Sequence, residues 1–187
     1  FNVREKQLNQ QIQNLKNIKK YIHDKKESLI ESKNINFSSI TIQEYPQRYY
    51  LICHVKDDSN TSFLKATNEI IQKYISLTNK KDYTVSYIQY MQDIENKVYD
   101  NYQNVVLLFS NKIKSNKMKT LPKGRYVVGY HIGPWQTIQE SYERLLKYIN
   151  QNQIHIDNQF LEFYRIDNLT TKTEDQYVTE INVKILD

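Results

Sequence analysis

The feature that most narrows the fold is a pattern that runs twice through most of the chain. Residues 40–55 are strand-like with a break at Pro46. Residues 62–77 carry Phe63, Ile70, Tyr74 and Leu77 on one helical stripe, with Ile71 and Ile75 beside it. Residues 83–90, YTVSYIQY, alternate as a strand, and 102–110 contain the apolar run NVVLLF. Periods of two and of three to four residues separate these elements. After a basic loop at 112–119 the order returns. A turn and strand occupy 121–132, and Gly133-Pro134 breaks them. A helix over 137–150 is striped by Ile138, Tyr142, Leu145 and Ile149, and strands follow at 160–166 and 177–185. Residues 91–101 form a polar connection of no clear period. The order β-α-β-β, repeated, predicts an α+β domain in which each half lays a helix on its strands. The junction of two such halves is a natural place for a pocket.

Within the second half, residues 160–167 read FLEFYRID. Alternation puts Phe160, Glu162, Tyr164 and Ile166 on one face, and Leu161, Phe163 and Arg165 on the other. A carboxylate thus stands among apolar and aromatic neighbours, where desolvating it costs several kcal/mol unless something compensates. Glu162 is therefore the first candidate for a binding residue, as counter-ion of a lipophilic cation. An exposed sheet position, or a salt bridge to Arg125 or Arg165, is the plainer alternative. Tyr164, one repeat along on the same face, is the first aromatic partner. Trp135, at a helix start after the Gly-Pro bend, is a candidate lid or a core residue. Tyr126, Tyr130 and Tyr142 are core or pocket lining. The chain has 16 Tyr against 6 Phe and 1 Trp, and tyrosine offers a flat apolar face with a polar tip.

Several function classes are absent from the sequence. There is no G-x-S-x-G elbow and no H-E-x-x-H. His23, His54, His131 and His155 are scattered, and three glycines build no phosphate-cradling loop. No metal, cofactor or catalytic residue is expected, and His131 reads as a surface or inter-strand histidine. With 39% hydrophobic and 25% charged residues the chain is a globular one. No run reaches the length of a membrane span, and no signal peptide opens it. One cysteine, Cys53, excludes an internal disulfide framework and suits the cytoplasm. The formal charge of +5 is concentrated at the start: residues 1–33 hold 8 Lys/Arg and 4 Asp/Glu, leaving the remainder near neutral. The basic balance is thus no nucleic-acid signal by itself.

Residues 1–33 lack Gly and Pro and place Phe1, Leu8, Leu15, Ile22 and Leu29 seven apart, with Ile12 and Ile18 alongside and Lys19 and Lys26 as polar interruptions. This narrow stripe predicts a coiled-coil dimerisation helix. It begins at Phe1 without a cap signal, which points to the C-terminal part of something longer. The expected organisation is a helix over 1–33 and a domain over 34–187, with repeats at about 38–111 and 120–187.

Four stretches together carry a family resemblance: PKGRY at 122–126, HIGPW at 131–135, LLKYI closing the second helix, and the Glu162 strand followed by YVTEI at 177–181. They resemble the GyrI-like effector-binding domain at the C-terminus of MerR-family transcription regulators, most of all the multidrug-responsive BmrR type. The likeness is firmest over 120–187 and looser over 40–110. The resemblance implies a duplicated βαββ fold with a ligand cleft between the halves, a homodimer through the N-terminal helix, and a lipophilic cationic or aromatic small-molecule ligand. It implies that Glu162 is the counter-ion and Tyr177 a pocket tyrosine. It also implies promoter DNA as a partner of a winged-helix head absent from this chain, and an activator that works by distorting that DNA. A stand-alone small-molecule-binding protein or a hydrolase of the same fold is the alternative.

Overall fold

The computed structural model describes residues 36–57, 59–80, 82–167 and 170–186. In the first 35 residues it describes 4–9, 11, 12, 15, 16, 19, 23 and 26. Two units result, Phe1–Asn36 and Phe37–Asp187. In the first, the described residues up to 26 are helical, and Leu8, Ile12 and Leu15 are exposed. Phe1, Ile18, Ile22 and Leu29, the rest of the expected seam, lie outside the described residues.

In the second unit the chain runs β1 (Thr41–Tyr45), β2 (Arg48–His54), α1 (Asn60–Thr78), β3 (Thr84–Tyr90), α2 (Met91–Glu95), β4 (Asn104–Phe109), β5 (Lys119–Leu121) and β6 (Gly124–Ile132). It continues through α3 (Ile138–Gln151), β7 (Ile156–Ile166) and β8 (Val178–Ile185). The repeated β-α-β-β order is present as β2-α1-β3-β4 and β6-α3-β7-β8. All eight strands form one sheet, ordered β1-β6-β8-β7-β3-β4-β2-β5, with antiparallel pairing throughout. Each half pairs in the same way, β2–β4–β3 and β6–β8–β7, and the halves join where β3 meets β7. The outer strands are exchanged. β1 precedes the first half but pairs with β6, and β5 precedes the second half but pairs with β2.

Alternation assigns the faces. On one face α1 covers Leu51, Val105, Leu107 and Phe109 with Ala66, Ile70 and Tyr74. On the same face α3 covers Val127, Phe160, Ile181 and Val183 with Ile138, Tyr142, Leu145 and Ile149. Burying each such side chain stabilises the fold by roughly 1.5–3 kcal/mol. α1 starts where the Ser59 side chain accepts from the Ser62 N–H. It ends at Asn79, whose N–H donates to the Ile75 carbonyl and whose own left-handed backbone (φ 53°) turns the chain out of the helix. α3 lies close to the sheet over Gly129, where an added Cβ would stand 3.1 Å from Leu145 Cδ1. The other face has its own core of Ile88, Val106, Leu108, Leu161 and Phe163. The sheet rolls around that face, so Arg48 of β2 comes within 5.2 Å of the Tyr126 ring of β6, although the two strands are far apart in the sheet order.

Three local features differ from the sequence expectation. The polar connection at 91–101 contains the short helix α2, which sends Ile94 into the core. The end of the basic loop is β5, recruited by β2 at the sheet edge. β7 begins at Ile156, because pairing with β8 extends it across a register shift between Ile156 and Phe160 that pattern alone does not reveal.

Candidate ligand-binding site

The join between the halves puts Tyr87 of β3 directly opposite Glu162 of β7, on the helix face. Glu162 is fully buried, with 0% exposure. Its neighbour across β8 is Ile181. Two phenols donate to it: Tyr142 Oη, from α3, to Oε1 at 2.6 Å, and Tyr102 Oη, from the segment before β4, to Oε2 at 2.8 Å. Among the described residues no Lys, Arg or His bonds it. Burial pushes its carboxyl up to about 7, and the hydrogen bonds from Tyr142 and Tyr102 pull only partly against this. The anion in turn raises both phenols, after the larger effect of their own burial.

Around the carboxylate the rings are continuous. Tyr164 stacks on Tyr87 on one side and on Trp135 on the other, each at 5.0 Å between centroids, and Trp135 lies 5.0 Å from Tyr177. Tyr102 meets Tyr87 and Phe63 edge-on, and Tyr99 leans on Tyr142. The backbone at the loop explains how Trp135 joins. Gly133 takes φ +115°, a conformation that L side chains avoid, and its N–H donates to the Tyr177 carbonyl, tying the turn to the start of β8. Trp135 then opens a 3₁₀ turn that leads into α3. Its indole Nε1 is buried without a hydrogen-bond partner.

Of the residues named from sequence, Glu162, Tyr142, Tyr164, Trp135 and Tyr177 are brought together. Tyr126 is not. It faces the opposite side of the sheet, where its hydroxyl donates to the Pro122 carbonyl at 3.2 Å and its ring packs on Tyr45. β6 turns its odd-numbered side chains toward α3, so an even-numbered one cannot reach the site. Arg165 also leaves Glu162, pairing instead with Glu180 on that opposite face. His131 is buried rather than at the surface, at 3% exposure. It contacts Ser141 Oγ through Nδ1 at 3.0 Å and the Pro134 carbonyl through Nε2 at 2.9 Å. The expected cleft differs too: over Glu162 the rings lie against one another, and a hollow of about 20 Å³ lies on the other face, beside Tyr126 and Asn182.

Sequence reading missed Tyr102, Tyr87, Tyr99 and Phe63. Tyr87 carried a signal, since it alternates in phase with Val85 on a strand. Tyr102 carried none, because it sits in an irregular segment whose side-chain direction only the tertiary fold fixes.

Residues 38–186 match the family described as the GyrI-like small molecule binding domain. The multidrug-efflux transporter 2 regulator of Bacillus subtilis (strain 168) is 21% identical over 164 residues, 87% of this chain; the chain spans 59% of that relative's length. Two solved structures share the fold. EcmrR in its DNA complex has a TM-score of 0.55 at 20% identity, with 91% of this chain and 69% of that one covered. A protein described as a hydrolase from Listeria innocua has a TM-score of 0.57 at 10% identity, with 83% and 96% covered. With its duplicated sheet, its buried carboxylate and a match over nearly the whole of its second unit, this chain belongs to the GyrI-like small molecule binding domain family.

Proposed function

We propose that this chain is the effector-binding and dimerisation part of a MerR-type, BmrR-like transcription activator that senses lipophilic cationic or flat aromatic molecules. One observation carries the reading: Glu162 is wholly buried, has phenols but, among the described residues, no cation for partners, and is enclosed by stacked rings. A cation over an aromatic face gains roughly 0.5–2 kcal/mol, most where the site is dry. A carboxylate adds attraction that low dielectric strengthens. Stacking tolerates differences in shape, so the selectivity is broad. The ligand enters by parting the rings, with Trp135, on its short turn, as the piece that moves.

The helix of residues 1–33 pairs with that of a second copy through the stripe to which the exposed Leu8, Ile12 and Leu15 belong. A DNA-binding head lies in a part of the protein outside this chain, and the dimer works in the cytoplasm. No helix among the described residues is long and apolar enough to cross a membrane. Ligand and DNA states are coupled because the ligand favours one of two arrangements.

Titration with a fluorescent lipophilic cation tests the binding claim. The native chain is expected to bind it stoichiometrically, and Glu162→Gln to bind at least ~100-fold more weakly with its fold retained. Equal affinities would remove Glu162 from the mechanism. A hydrolytic reading has one geometric point in its favour, the His131–Ser141 contact, in which the Pro134 carbonyl fixes the imidazole. Burial lowers the basicity of His131, and both side chains are under the sheet-facing side of α3, at 3% and 7% exposure. Neither side chain lines the ring cluster around Glu162, so binding without turnover is the expected behaviour. Release of product from reactive esters would reverse that.

A further inference from the structure

We infer that the empty site holds a proton on Glu162, and that each cation bound expels that proton to solvent, so that the site exchanges one positive charge for another. The inference rests on the cation-site reading above and adds how the site is set when free.

The geometry gives the buried carboxylate two phenol donors and, among the described residues, no cation to balance its charge. The titratable groups that face it are phenols: Tyr142 from α3, Tyr102 from the segment before β4, Tyr164 from its own strand and Tyr87 from β3. β8 offers Ile181, and α1 offers Phe63 against Tyr102. The charges that bear on this cluster from outside are negative, Asp167 on Tyr87 and Glu143 on Tyr99. An anion in such surroundings is disfavoured by desolvation, and the hydrogen bonds from Tyr142 and Tyr102 offset this only in part. The raised carboxyl, at about 7, agrees with this.

The proton also has a place to sit. Tyr102 bonds both Glu162 and Tyr164. When Tyr102 turns its hydroxyl proton to the Tyr164 oxygen, its own oxygen is free to accept from the protonated carboxyl. When a cation arrives, the carboxyl proton leaves for water, and Tyr102 turns back to donate to the anion. The Tyr102 donation to Tyr164 is given up in the same step, and the carboxyl O–H is the one covalent bond that breaks.

The consequence is a ligand affinity that rises about tenfold per pH unit below pH ~7 and levels off above it. The test uses the 187-residue chain with ethidium as probe. Calorimetry at about pH 6, in two buffers of different ionisation enthalpy, is expected to show nearly one proton released per ethidium bound, falling toward none at about pH 8.5. The infrared difference between the ligand-free native chain and Glu162→Gln at about pH 6 is expected to contain a protonated-carboxyl band that ethidium abolishes. Binding with buffer-independent heat and no pH dependence overturns the exchange while leaving the site intact. Absence of ethidium binding, with the carboxyl band present, overturns the site reading and the exchange with it. Absence of the band shows the free carboxylate to be ionised and overturns the exchange directly.

Discussion

Two buried glutamates sit one strand apart and teach different lessons. Glu162 on β7 and Glu180 on β8 are 0% and 3% exposed and point to opposite faces of the same sheet. Glu180 meets its counter-ion inside the chain. Arg165 reaches its Oε2 with Nη2 at 2.7 Å and Nε at 2.9 Å, and Asn182 Nδ2 donates to its Oε1 at 2.9 Å. The Arg165 guanidinium is stabilised in its charged form by Glu180, against the opposing effect of burial. Glu162 has two phenols and, among the described residues, no cation. The first is a completed ion pair, which holds two strands in register. The second, on the reading proposed above, takes its counter-ion from the ligand. A buried acid is thus no sign of function until its partners have been counted.

The sharpest way to break this comparison is to remove each acid's support in turn. Arg165→Ala is expected to destabilise the fold by about 2–3 kcal/mol. This is less than the loss for a fully enclosed pair, because the Arg165 side chain is 37% exposed. Glu162→Gln, in contrast, is expected to leave the ligand-free chain as stable or more stable at alkaline pH. Urea unfolding of both variants measures this, and a large loss in Glu162→Gln would make Glu162 a structural residue like Glu180.

pH sharpens the contrast next. The folded Glu162 carboxyl, at about 7, lies above its ordinary value of 4.5, so between those limits the folded state binds more protons than the unfolded one. Its contribution is undiminished below about pH 4.5 and is lost as pH rises through about 7. The stability of Glu162→Gln relative to the native chain should therefore climb across that window, by of the order of 3 kcal/mol in total. A flat difference across pH would mean that the free carboxylate is compensated after all.

Smaller effects separate the two faces. Tyr142→Phe removes the shorter of the two donors to Glu162 and is expected to weaken cation binding by roughly 1–1.5 kcal/mol, or about tenfold, by titration. Tyr164→Leu breaks the stack in its middle and should cost about 1 kcal/mol of affinity. Tyr126→Phe, on the Glu180 face, should change affinity less than about twofold while losing about 1 kcal/mol of stability with its bond to Pro122. A Tyr126 effect on affinity as large as that of Tyr164 would mean that the faces are not separate.

Much of the fold was legible because its elements are set by local periods. α3 announces itself through Ile138, Tyr142, Leu145 and Ile149, and β8 through Thr179, Ile181, Val183 and Ile185. The doubled β-α-β-β order followed from those elements alone. What the pattern could not hold is pairing. That β1 and β5 cross to the opposite halves, and that β3 rather than another strand meets β7, depends on contacts between residues far apart in the chain.

The candidate site divides along the same line. The sequence by itself determined that Glu162 would stand on a strand among aromatics, because alternation assigns a face without reference to anything distant. Only the tertiary structure decided which acid would be left, among the described residues, without a counter-ion. Arg165 lies three residues from Glu162 and therefore points to the other face, toward Glu180. Tyr102, whose local sequence carries no period, is delivered by the fold to the carboxylate that has none. Local geometry is written residue by residue, whereas the balance of a buried charge depends on every group the fold gathers around it.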